Sequence, residues 1–353
     1  MISRLGNEGN SRGKDELASR EVGIKAIAEA LQLSASTVSR ALNGVPGVNP
    51  GTRRLVEQMA REMGYVPNLG AQQLVGKRSN LIGVFVPEFD HGKALFYDMF
   101  SSIQKALQSE GKDAIFYYVS FSNYAGQRLT ESVHSRKLEG CILFPAFSER
   151  HPIMQEALKI RVPCVNFEGV VGPHCSAAMS DDKEGGRLAG QRLVEAGHRV
   201  IGYINGPPLA RVSQERYEGF KEALTERGIA HAGSLIAEGN FSVESGAEAI
   251  MKLREAHPDM TAVFCANDLM ATGAIARLQQ EEGLRVPEHL SIIGYDDDMH
   301  GTFITPPLTT IRHGKPSVIS LLMELLSGQP GRKVVAPPQL VERRSVASRQ
   351  DID

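Results

Sequence analysis

The stretch IKAIAEALQLSASTVSRALN, Ile24–Asn43, holds two short amphipathic helices separated by a three-residue turn. Ile24, Ile27, Ala28 and Leu31 recur at the three- and four-residue spacing that places them on one helix face. After Gln32 and Leu33, Ser34 reads as the N-cap of a second helix, whose Val38, Ala41 and Leu42 can pack inward. A third helix follows, with Asn49 as cap, Pro50 at the first helical position, and Leu55, Val56, Met59 and Met63 as its buried stripe. Two helices on so short a turn match a helix-turn-helix, in which the second helix presents its N-terminal residues to base edges in the major groove. Here those residues are Ala35, Ser36, Ser39 and Arg40. Arg40 can bond a guanine bidentately or hold a phosphate, Ser36 is permissive, and Ala35 offers a methyl contact to thymine. Capped amphipathic helices occur in any three-helix module, so spacing alone leaves DNA binding and plain packing level.

The charge distribution sharpens the contrast between this module and the rest. The chain has 353 residues and a formal net charge of -2, yet residues 1–78 hold 11 Lys and Arg against 7 Asp and Glu, and the remainder 28 against 34. The two parts therefore face different partners. With 42% apolar and 23% charged residues the composition is that of globular domains, which excludes collagen-like and wholly disordered classes. No apolar run reaches the ~20 residues that cross a bilayer, and residues 1–20 lack the apolar stretch of an export signal, so a cytoplasmic location is expected. Cys141, Cys164, Cys175 and Cys265 are scattered, with no CxxC pair and no nearby His, so neither zinc nor a disulfide framework is expected.

From Ser79 the pattern changes to apolar strands alternating with longer helices. Leu81–Val86, Ala114–Val119, Gly140–Phe144 and Pro163–Phe167 form one series; Val200–Ile204, Leu235–Ala237, Ala262–Cys265 and Ser291–Tyr295 form a second. Two successive α/β units imply two lobes of doubly wound parallel sheet with a cleft between them, where ligands bind outside the carboxyl ends of the strands.

Residues 24–43, with VNPGTRR (Val48–Arg54) and GYVPNLGAQQLVGKRS (Gly64–Ser79), resemble the lactose/galactose repressor (LacI) family of bacterial transcription regulators. The likeness runs from about Val22 to about Ala347, through GHRVIGYING (Gly197–Gly206), ERYEGF (Glu215–Phe220), CANDLMATGA (Cys265–Ala274), SIIGYDDD (Ser291–Asp298) and TPPLTTIR (Thr305–Arg312). It implies a small all-α helix-turn-helix domain followed by a two-lobed core like that of periplasmic binding proteins. The expected organisation is a disordered leader at 1–21, the DNA-binding domain at 22–67, a hinge segment at 68–78, the core at 79–347 and a tail at 348–353. Within the core the first lobe takes about 79–180 and 313–331, and the second about 181–312 and 332–347.

The resemblance also implies residue roles. For DNA it implies Thr37, Asn43, Tyr65, Asn68 and Ala71 beside the reading-helix residues named above, and Leu74 as an apolar wedge in the minor groove. Gly70 and Gly76 weaken the short hinge helix in isolation, as a segment that folds on DNA requires. An ordinary linker with Leu74 packed on protein is the alternative. For a small ligand it implies Glu168, Arg216, Asn267 and Asp296, with Phe241 as a stacking ring. Such groups bond paired hydroxyls while an aromatic covers a sugar's apolar face. Each has a plainer role open to it: Asn267 or Asp268 as helix cap, Arg216 on a solvated helix, Asp296 in a solvated loop, Phe241 in the core. Phe89, His91, Phe96 and Phe144 are further candidates for the pocket wall, with core or surface positions equally open.

The expected protein is a repressor that binds a palindromic operator as a homodimer, which could pair into a tetramer, and that a sugar-type inducer releases. Corepressor-dependent binding, with a purine for example, and a sugar-binding receptor without DNA function are the alternatives. No cofactor and no enzymatic activity are expected, since GxSxG, GxxxxGK[ST] and HExxH are absent and GxGxxG does not follow the first strand. The sequence departs from the family at Gly23, where a Thr usually caps the first helix, at Glu88–Phe96, and at Ile311–Gly328, which looks a few residues short.

Overall fold

The structure is a computed structural model that describes residues 22–66, 79–88, 93–120, 124, 128–145, 147–230, 232–280 and 284–349, with only the backbone for 93–98. The expected leader, the hinge with Asn68, Ala71 and Leu74, Phe89, His91 and the Phe96 side chain lie outside the described residues. The chain divides into two compact units, Met1–Arg78 and Ser79–Asp353.

In the first unit, helices α1 (Ile24–Leu31), α2 (Ala35–Leu42) and α3 (Pro50–Glu62) follow the caps read from the sequence. Gly23 precedes α1 without a side-chain cap bond, whereas Ser34 accepts from Thr37 N and Asn49 from Gly51 N. Gln32 ends α1 in the left-handed region at φ 51°, which turns the chain sharply into α2. Ile27, Ala28, Val38, Ala41, Val56 and Ala60 form the small core. Leu55, expected inside, is 49% exposed, whereas Val56 is buried and Met59 and Met63 pack on the core as expected, with Ala60 completing the buried face of α3.

The second unit contains two six-stranded sheets of equivalent order. The first uses β1 (Leu81–Pro87), β2 (Asp113–Val119), β3 (Gly140–Leu143), β4 (Cys164–Asn166), β5 (Cys175–Ser180) and β11 (Lys333–Ala336), in the order β11-β5-β4-β3-β1-β2, all parallel. The second uses β6 (Ile201–Asn205), β7 (Ile236–Glu238), β8 (Ala262–Cys265), β9 (Ser291–Tyr295), β10 (Thr309–Arg312) and β12 (Gln339–Val341), in the order β12-β10-β9-β8-β6-β7. Only β12 runs antiparallel to its neighbour there. Helices α4 (Lys93–Ser109), α5 (Leu129–Arg136), α6 (Pro152–Lys159) and α12 (Val318–Leu326) belong to the first lobe; α7 (Asp182–Glu195), α8 (Arg211–Glu226), α9 (Val243–Ala256), α10 (Asp268–Gln280) and the short α11 (His300–Phe303) belong to the second.

The chain passes between lobes after Ser180, after Arg312 and after Ala336. The last crossing corrects the expected boundary at 332: Lys333–Ala336 pairs with Ala177–Ser180, so it completes the first sheet before the chain returns to the second. The crossings are tied to one another, with Gly314 N donating to Ser180 Oγ at 3.0 Å and Asp181 N to Ala336 O at 3.1 Å. The four cysteines are buried and free. No helix among the described residues is long and apolar enough to cross a membrane.

Candidate functional site

The N-terminal half of α2 is organised by its cap. Ser34 Oγ accepts from Thr37 N at 3.1 Å and lies 2.8 Å from both Ser36 Oγ and Thr37 Oγ1. Ala35, Ser36 and Arg40 are exposed on α2; Thr37, Ser39 and Asn43 are half-buried, and Asn43 Nδ2 donates to Ser39 Oγ at 3.3 Å. Tyr65 packs its half-buried ring on the helical core. The helix thus presents small and cationic side chains at its surface, a composition suited to approach of a polyanion.

The second candidate site lies at the carboxyl ends of the strands in the other unit. Arg216, on α8, is 4% exposed. Its Nε and Nη2 both reach Asp182 Oδ1 at 2.9 Å, its Nη1 donates to Ala266 O at 2.6 Å, and its guanidinium carbon lies 3.7 Å from the Tyr295 ring centroid. Nη1 is also 3.8 Å from Asp296 Oδ1, which bonds His313 Nε2 at 2.9 Å. Burial pushes the Asp182 carboxyl up, but the Arg216, His313 and Arg211 charges more than offset it and leave it below its ordinary value.

Asp296 and Asp297 leave β9 with φ of 118° and 56°, a conformation that L-residues adopt only when their surroundings enforce it. The enforcement is visible. Arg312 Nε and Arg343 Nη2 hold the Asp297 carboxylate at 2.7 and 2.6 Å, while Asp268 accepts from Asp298 N at 2.8 Å and from Thr310 Oγ1 at 2.6 Å. Burial and the neighbouring Asp296 raise the Asp268 carboxyl well above its ordinary value.

Asn267 caps α10 by accepting from Met270 N at 2.9 Å, and its Nδ2 donates to Phe241 O at 3.1 Å. One side chain therefore serves as cap and as anchor of the loop carrying Phe241, which itself sits at φ 67°. Gly206 makes room for that ring: a Cβ there would fall 2.2 Å from Phe241 Cζ. From the first lobe, Glu168 follows β4, with its N–H donated to Asn166 Oδ1 at 2.9 Å.

The structure brings Glu168, Arg216, Asn267 and Asp296 to the strand ends; Glu168, Arg216 and Asp296 are joined through Asp182 and Arg211, whereas Asn267 is bonded to the Phe241 loop and to its own helix. Phe144 is a correction: it is fully buried, with its ring centroid 5.1 Å from Phe100 and 6.2 Å from Phe167, and fills the first-lobe core. Asp182, Arg211 and His313 were not singled out by sequence reasoning. Arg211 and Glu215 stand one turn apart on α8 and do form an ion pair, a signal that was available. Asp182 is adjacent to Arg216 only because α7 and α8 pack closely. Among the described residues no group of His, Cys, Asp and Glu is arranged to hold a metal ion.

Comparisons with known proteins agree with this architecture. Residues 23–68 match the family of bacterial regulatory proteins, lacI family, and residues 191–346 match the periplasmic binding protein-like domain. The HTH-type transcriptional regulator CelR of Thermobifida fusca is 31% identical over 329 residues, covering 90% of this chain and 94% of that protein. The HTH-type transcriptional repressor PurR of Aliivibrio salmonicida is 30% identical over 336 residues, covering 92% and 98%. Among solved structures, the lac repressor dimer bound to operator and the anti-inducer ONPF aligns with a TM-score of 0.79 at 27% identity, over 93% of this chain and all of that one. The CelR–cellobiose complex aligns with a TM-score of 0.68 at 29% identity, over 92% of this chain and 99% of that one. With its helix-turn-helix unit and its charged cleft between equivalent sheets, the chain belongs to the lacI family of bacterial regulatory proteins and is a ligand-responsive, DNA-binding transcription repressor.

Proposed function

We propose that the effector of this repressor is a neutral carbohydrate bound between the two lobes, and that its binding releases a homodimer from a palindromic operator. The observation that carries this is the chain of alternating carboxylates and guanidinium groups Glu168–Arg211–Asp182–Arg216–Asp296 at the strand ends, with His313 hydrogen-bonded to Asp296. Carboxylates and guanidinium groups engaged with one another present acceptors and donors side by side. A polyol matches such a surface, and Phe241 supplies the apolar face that a sugar ring requires. The CelR complex with cellobiose is a relative with a ligand of this class.

The cleft binds without catalysis. Asp182, Asp296 and Glu168 lie against arginine side chains, and Asp268 accepts from Asp298 N and Thr310 Oγ1. On the DNA side, Ala35, Ser36, Ser39 and Arg40 read base edges and phosphates, and Leu74 acts as the minor-groove wedge. The test is a thermal-shift screen of the full chain against neutral mono- and disaccharides, sugar phosphates and purine bases, followed by gel-shift of the DNA upstream of its own gene. A ligand at 100 times its Kd adds about 2.7 kcal/mol of stability. The expected result is stabilisation by a neutral carbohydrate that also weakens the gel-shifted complex. Stabilisation confined to purines or sugar phosphates, or a tighter DNA complex with ligand, overturns the reading.

A further inference from the structure

Arg211 opens α8 on the second lobe, yet two of its contacts are on the first. Its Nε lies 3.4 Å from Glu168 Oε2, and its Nη2 lies 3.4 Å from the Phe167 carbonyl oxygen. Within its own lobe it pairs with Glu215 and lies 3.6 Å from Asp182 Oδ2. The first-lobe side of this contact is braced. Asn166, fully buried, accepts from Glu168 N at 2.9 Å and from Val170 N at 3.2 Å, and donates to Val170 O at 2.7 Å and Ser176 O at 3.0 Å. Glu168 is therefore presented from a fixed turn, and Arg211 from a helix end.

The cross-lobe distances are also informative. A guanidinium–carboxylate bond settles at about 2.7–2.9 Å when nothing restrains it. Here the contact measures 3.4 Å, and its side chains keep 24% and 11% of their surface exposed.

We propose that Arg211 is the positioning residue that sets the separation of the two cleft walls, by clamping the Glu168–Phe167 turn of the first lobe to α8 of the second. The proposal rests on the cleft being the effector site, because the separation it sets is that of the walls an effector touches. Removing either charge lets the lobes part; removing Glu215, a partner inside the second lobe, does not.

The test uses the full chain without effector or DNA. Spin labels are placed on Glu110→Cys and Thr225→Cys, exposed positions on opposite lobes, while the four native thiols are buried. Pulsed electron resonance then gives the distance distribution between lobes. In Glu168→Gln and in Arg211→Gln the mean separation lengthens and the distribution broadens, and the double variant opens no further than Arg211→Gln alone. Glu215→Gln keeps the wild-type distribution. Unchanged separation in Glu168→Gln overturns the proposal, as does additive opening in the double variant, or opening in Glu215→Gln equal to that in Glu168→Gln. The isosteric Glu168→Gln keeps the test decisive even if Arg211→Gln unfolds. Since no effector enters the measurement, its outcome is independent of whether the ligand screen finds a carbohydrate.

Discussion

The two lobes share one strand order and differ in what they bury. In the second lobe, charged side chains run through the interior: Asp182, Arg216 and Asp268 are each under 5% exposed, and His198 is 2% exposed. In the first lobe Phe144 and Phe147 are fully buried in the hydrophobic core, and the group it sends toward the second lobe is Glu168. Equivalent backbones therefore carry unequal duties. The second lobe presents a pre-built polar surface in which each buried charge is held by several partners, whereas among the described residues of the first lobe the buried ion pair is Lys112–Glu139.

The largest expected effect tests that polar surface. Arg216→Ala leaves Asp182 buried without its main cation, a change that costs about 3–5 kcal/mol, read as a fall in the urea midpoint of the full chain. Arg216→Lys should recover little of it, since the fork to Asp182 and Ala266 O and the stacking on Tyr295 need a planar guanidinium.

His198 offers a pH signature confined to the second lobe. Its ring bonds Thr261 Oγ1 at 2.9 Å and Ala347 O at 3.2 Å, and burial pushes its pKa down to about 4 from the ordinary 6.5. The folded chain keeps this imidazole neutral while the unfolded chain protonates it first. The associated stability is present above pH 6.5 and is lost as pH falls toward 4, by up to about 3 kcal/mol. Unfolding free energies of wild type and His198→Gln measured across that window should converge at its lower end; parallel curves would remove His198 from the account.

Close helix packing distinguishes the lobes next. α7 meets α8 at Gly186, where a Cβ would come 2.0 Å from Arg216 O. Gly186→Ala must therefore push α8 away and lift Arg216 off Asp182, with an expected loss of about 1–3 kcal/mol. Calorimetry reads the loss, and an effector affinity that stays at the wild-type value would show that α8 is not positioned by this contact. The smallest effect is expected on the first-lobe side: Glu168→Gln should change stability by about 1 kcal/mol or less, because the pair it breaks is long and reaches solvent. A larger loss would mean that the two lobes are bound to each other as firmly as each is within itself.

The helical unit was legible almost residue by residue. Its caps and apolar spacings act within one turn, so Ser34, Asn49 and Pro50 mark their helices whatever surrounds them. Eight strands of the core were legible as apolar runs. β5, β10, β11 and β12 were not: CSAAMS, TTIR, KVVA and QLV are small, polar or short, and become strands because a neighbour offers its unpaired edge. The same cause moved the last crossing from 332 to beyond Ala336.

By itself, then, the amino-acid order determined the helix-turn-helix and the presence of two α/β lobes, since each depends on spacings of a few residues along the chain, while the polar residues at the strand ends were named through the resemblance to known regulators. Tertiary structure alone decided which of those residues meet. Asp182 joins Arg216 across 34 positions, Phe144 turns inward, and Arg211 reaches Glu168 on the other lobe, because such neighbours are set by how helices and sheets pack in space and no local periodicity encodes that distance.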